Sequence, residues 1–107
     1  MRSHEWIDRR SLAFDQRIAD KLAANPELLQ QAIRTVGRWV DAREPNPPAA
    51  MLEWRHILLS QSLAEILTLL RSDAEDARRL RQSSPFCGIL DPEERLAILR
   101  EYEAKRA

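Results

Sequence analysis

From Ile7 to Tyr102 the apolar residues of this chain return every three or four positions, and no stretch alternates apolar with polar as a half-buried strand does. Such a chain buries helical stripes rather than sheet faces. Helix-start signals cut the pattern into pieces: Asn25-Pro26-Glu27, Ser62-Leu63-Ala64-Glu65, Ser72-Asp73-Ala74-Glu75 and Asp91-Pro92-Glu93-Glu94. Each joins a capping side chain to an acid that complements the positive end of the helix dipole. The reading is an all-α, compact single-domain bundle of about five to six short helices, with residues 1–107 as one helical domain.

The first helix is expected to begin near Ser3 or Ser11 and to bury Ile7, Phe14, Ile18 and Leu22. A second starts at Asn25-Pro26 and uses Leu29, Ile33, Val36 and Val40; its Gly37 is accounted for by a close helix crossing or by chance alone. The Pro-rich linker at 43–48 cannot continue a helix and separates two helical halves without making them domains. Met51, Trp54 and Leu58 mark a third helix, and Ser60-Gln61-Ser62 interrupts it before a short central helix carrying Ile66, Leu67, Leu69 and Leu70. The next segment offers only Ala74, Ala77 and Leu80, which places it at an edge, with Glu75 and Asp76 spaced to pair with Arg79. Leu96 and Leu99, aided by Ile98 and Tyr102, attach the last helix, which frays from Glu103.

Residues 80–90, Leu-Arg-Gln-Ser-Ser-Pro-Phe-Cys-Gly-Ile-Leu, are the least helical stretch. Ser84-Pro85 ends the preceding helix, because proline lacks an N–H and restricts the residue before it. Phe86, Cys87, Ile89 and Leu90 are too apolar for a solvated loop and are expected to fold back onto the core, with Gly88 permitting a sharp or left-handed turn. Such a turn presents Arg81, Gln82, Ser83 and Ser84.

The 17 basic and 17 acidic side chains cancel, which argues against the broad basic face that nucleic acid requires. Arginine supplies 15 of those basic residues, a bias that suits bidentate pairing at a partner surface and equally suits a GC-rich genome. The single Cys87 has no internal disulfide partner, and without a signal peptide the expected compartment is the cytoplasm. No apolar run approaches the roughly 20 residues that span a bilayer. His4 and His56, the only imidazoles, stand at no familiar metal-ligand spacing, and Gly37 and Gly88 cannot build a phosphate-cradling loop. No metal or cofactor is therefore expected. Cys87 beside His56 would be the one route to a nucleophile, and a partly buried inert thiol is the simpler reading. Glu93 and Glu94 are explained as first-turn acids. The chain reads as a protein that is not an enzyme.

Arg78, Arg79 and Arg81, with Arg95, can grip phosphate or a partner's carboxylates, unless Asp73, Glu75 and Asp76 already neutralise them on a solvated face. All three tryptophans, Trp6, Trp39 and Trp54, suit the core, and Trp6, which stands ahead of the regular stripe, is the preferred exposed anchor. The expected partner-binding set is Trp6, Arg78, Arg81, Gln82, Ser84, Phe86 and Arg95, with Phe86 or Trp6 as the apolar anchor.

Two blocks, Arg10-Ser11-Leu12-Ala13 running to Ala19-Asp20-Lys21-Leu22, and Arg79-Leu80-Arg81-Gln82-Ser83-Ser84-Pro85-Phe86 with Glu94-Arg95 beyond, carry a resemblance. Together they resemble small all-helical bacterial proteins of the antitoxin type, encoded beside a toxin partner. The resemblance implies binding and neutralising a toxin enzyme, regulation of the shared operon, and no catalytic residues in this chain. The expected function is accordingly a non-catalytic interaction protein that occludes a protein partner, and a homodimer is compatible with it. The alternative is a DNA-binding helix-turn-helix regulator built from residues 62–71 and 72–82, with Arg78, Arg79 and Arg81 on the phosphates.

Overall fold

The computed structural model describes residues 3–106, with side chains from Glu5 to Lys105. His4, weighed above as a metal ligand, has its side chain outside the described residues. The helices are α1 (Ser3–Ala24), α2 (Leu29–Ala42), α3 (Ala49–Ser60), α4 (Leu63–Arg71), α5 (Glu75–Arg81) and α6 (Pro92–Arg106), and a 3-10 turn (Pro26–Leu28) leads into α2. No strand occurs among the described residues. The all-α bundle is thus the observed architecture. α1 packs on α4, α5 and α6, while α2 packs on α3, so the segments on either side of the proline linker share one core.

Two of the four start signals form as reciprocal capping boxes. Ser62 Oγ accepts from Glu65 N and Glu65 Oε1 accepts from Ser62 N, and Asp91 and Glu94 repeat the exchange at the head of α6. The other two differ from expectation. Asn25 makes no side-chain cap, and its amide donates to the Lys21 carbonyl, so the prolyl segment closes as a 3-10 turn and α2 begins only at Leu29. Ser72 Oγ accepts from Ala74 N in a local turn, which leaves Ala74 as the N-cap and delays α5 to Glu75.

The core gathers around Trp54 and Phe86, both almost wholly buried, whose rings meet edge to face with centroids 5.5 Å apart. The indole of Trp54 donates to the Leu80 carbonyl at 2.9 Å, so one aromatic side chain of α3 fixes both the end of α5 and the turn beyond it. Pro85, Phe86, Ile89 and Leu90 are buried as expected of a stretch that folds back. Cys87 is exposed, against the expectation of a partly buried thiol, because the turn directs Phe86 and Ile89 inward on either side of it.

The glycines, Leu96 and Ile7 depart in part from expectation. Neither glycine has a positive φ. Gly88 instead serves close approach: the Gln31 amide donates to its carbonyl at 3.0 Å, and a Cβ there would lie 2.8 Å from that nitrogen. Around Gly37 a Cβ would meet nothing within 4 Å, so no helix crossing requires it. On α6, Ile98 is buried while Leu96 is exposed, and Ile98 with half-buried Tyr102 attaches the helix. Ile7 on α1 is likewise exposed, lying beyond the buried part of its stripe.

Candidate functional site

The turn after α5 is held between α1 and α6 by a small polar network. Glu94, placed by its own capping box, accepts from Lys21 at 2.6 Å and from Arg17 at 3.0 Å, and Lys21 also donates to the Ile89 carbonyl at 2.8 Å. The Lys21 ammonium and the Asp91 N–H together hold the Glu94 carboxyl below the ordinary carboxylate range. The two ends of the sequence are thereby clamped along one edge.

Beside that clamp lies a concavity of about 280 Å³. Its first wall is α1, through Ser11, Phe14, Asp15 and Ile18; its second is the end of α5 and the turn, through Arg81, Gln82, Ser84 and Cys87; Arg95 of α6 closes it and Phe86 reaches its base. Five of the seven expected contact residues, Arg81, Gln82, Ser84, Phe86 and Arg95, therefore line one cavity although they come from separate elements.

Their individual states differ. The Arg81 side chain is only 7% exposed; its guanidinium donates twice to the Ser72 carbonyl, at 3.1 and 3.4 Å, and stands 3.7 Å from Asp73. Arg95 is exposed, its guanidinium over the Phe14 ring at 5.2 Å from the centroid, and it forms no ion pair among the described residues. Ser84 is half-buried and its hydroxyl accepts from Phe86 N, which stiffens the turn. Phe86 is 0% exposed. The expectation that it anchors a partner is corrected, since a ring enclosed by the core has no face to offer.

The remaining two expected residues lie elsewhere. Trp6 is half-buried where α1 meets α6, donates to the Tyr102 carbonyl at 3.2 Å and carries the Arg10 guanidinium over its ring. It ties the chain's ends together more than it projects. Arg78 faces Asp73 in a two-pronged pair at 3.0 and 3.1 Å, which lowers the Asp73 pKa. Arg79 grips Glu53 of α3 at 2.8 and 2.9 Å, holding that carboxyl below its usual range, and reaches Asp76 only at 3.5 Å. The carboxylate that takes up Arg79 comes from another helix, not from Glu75.

Sequence reasoning missed Asp15. This carboxyl is 7% exposed, has no hydrogen-bond partner among the described residues, and is pushed up to about 7 by burial, with Arg81 opposing the rise through space. Every fully enclosed polar side-chain atom among the described residues does have a partner. The Asp15 oxygens must therefore reach accessible space, and the cavity is the space the residue borders. Nothing in the local sequence marks it, because its neighbours Phe14 and Gln16 are ordinary for an amphipathic helix.

No group of three His, Cys, Asp or Glu side chains stands close enough to hold a metal ion among the described residues. Cys87 borders the cavity and His56 does not. No helix of the described residues is long and apolar enough to cross a membrane. Protein-family models, characterised proteins and solved structures were all compared with the chain, and none of them matches it.

Proposed function

We propose that this protein is a non-catalytic interaction module, of the antitoxin-like kind its sequence resembles, which binds and occludes a protein partner. The face it uses is the concavity between α1, the turn after α5 and the start of α6. One observation carries the reading: Arg95, a guanidinium without an ion pair among the described residues, and Asp15, a buried carboxyl without a hydrogen-bond partner among them, line one hollow backed by the core. Preorganised polar groups surrounded by apolar surface are what binding hot spots are built from. The turn is locked from below by Phe86 and Trp54, so a partner pays little ordering entropy to engage it.

Affinity capture from the source host with the wild-type chain, and in parallel with Arg95→Glu, tests this. A stoichiometric protein that co-elutes with wild type and is lost from the variant is the expected result. Recovery of no such protein, or equal recovery by both chains, would count against it. The helix-turn-helix reading is disfavoured by the pairing of Arg78 with Asp73 and of Arg79 with Glu53, and by the burial of Arg81. Those guanidiniums would have to leave carboxylates to reach phosphates. A gel-shift titration with the chain's own promoter should show no binding whose strength falls steeply as salt rises.

A further inference from the structure

The cavity described above is small, about 280 Å³, just under the roughly 300–1,000 Å³ of pockets that enclose whole ligands. It has room for a single side chain. Its chemistry selects which. Asp15 supplies an acceptor with no donor of its own, and Arg95 supplies donors with no carboxylate among the described residues. A lone cation entering the hollow would meet Asp15 but also the guanidiniums of Arg81 and Arg95. A lone anion would meet Arg95 but also the Asp15 carboxyl, which repels it whenever that carboxyl is ionised. A group with a donor and an acceptor on one carbon, and no net charge, satisfies both walls.

We propose that the cavity accepts a carboxamide, the side chain of a glutamine or asparagine presented by the protein partner, with its N–H bonded to Asp15, its C=O to Arg95, and its methylene stem against Phe14. This rests on the interaction reading given above. A carboxamide also suits either protonation state of Asp15. The carboxylate accepts the amide N–H, and the neutral acid both accepts that N–H and donates its own O–H to the amide carbonyl. The Arg95 guanidinium, held over the Phe14 ring, is already oriented at the rim.

Propionamide, propionate and propylammonium are the probes, each titrated into isotope-labelled full-length protein and followed by NMR at the Asp15 carboxyl carbon and the backbone amides of Gln82, Ser84 and Cys87. Propionamide is expected to give saturable shifts, at least about tenfold tighter than either charged probe, and to lose them in both Asp15→Leu and Arg95→Ala, given the usual worth of hydrogen bonds to charged groups. Arg95 is exposed, so that variant keeps the fold even if Asp15→Leu repacks. Propionate or propylammonium binding as well as propionamide, or no saturable shift from propionamide, would overturn the assignment. The partner complex separates the two claims. A complex that forms but is indifferent to Asp15→Leu overturns the carboxamide and leaves the interaction reading standing. Saturable propionamide binding with no partner recovered supports the pocket's chemistry and overturns the interaction reading.

Discussion

Asp15 is the residue on which chemistry and stability meet. Its folded pKa of about 7 stands above the ordinary 3.8, so the folded state holds a proton that the unfolded chain releases. The resulting stabilisation is fully present below 3.8 and is lost as pH rises through about 7. Urea denaturation across that window should show stability falling with pH, by on the order of 1 kcal/mol per unit at the steepest. In Asp15→Asn that slope should flatten, because the amide does not titrate. Equal slopes in wild type and Asp15→Asn would mean that the carboxyl is solvated or paired. Gly37 gives a second residue-scale expectation. It lies in the interior of α2 with open space where a Cβ would go, so Gly37→Ala should stabilise the chain by about 0.5–1 kcal/mol, read as a higher denaturation midpoint with unchanged m-value.

Among the elements, α6 depends on one side chain at its first turn. Glu94 caps the helix, and it also joins α6 to α1 through Lys21 and Arg17. Because its pKa is lowered, that contribution is present above the ordinary carboxylate range and is lost as pH falls through the depressed folded value. Glu94→Gln should therefore lower amide protection factors over residues 89–98 at neutral pH, and acidifying the wild type should lower them too, each referred to the intrinsic exchange rate at its own pH. Unchanged protection in the variant would show that the helix is seated without the Glu94 charge and its ion pairs. The cap itself was legible in the sequence, since a capping box needs only residues three apart. Its second duty was not, because Lys21 and Arg17 lie more than seventy positions away. The Ser72 signature misled for the converse reason: a hydroxyl that can cap a helix can also close a two-residue turn, and only the packing of α5 decides between them.

At the scale of the molecule, periodicity revealed the helices because their stripes recur locally, and the fold-back of residues 80–90 was visible in their unusual apolarity. What escaped notice depends on chain segments meeting. Nothing within the turn says that Phe86 would reach Trp54, which took it from the list of exposed anchors into the core, or that Arg79 would find Glu53 on α3. The cavity has the same origin, since α1, the turn and α6 supply its walls from opposite ends of the sequence. Its rigidity rests on the aromatic pair. Phe86→Ala should cost about 3–5 kcal/mol in chemical denaturation and should loosen the turn along with the core, whereas a variant near wild-type stability would mean that the ring is not the tether.

Hydrogen–deuterium exchange of the purified complex against the free chain tests the central claim most directly. Partner binding should protect peptides covering residues 11–18, 82–87 and the first turns of α6, and leave the outer faces of α2 and α3 unchanged. Protection confined to α2 and α3, with the cavity peptides exchanging as they do in the free chain, would contradict the account.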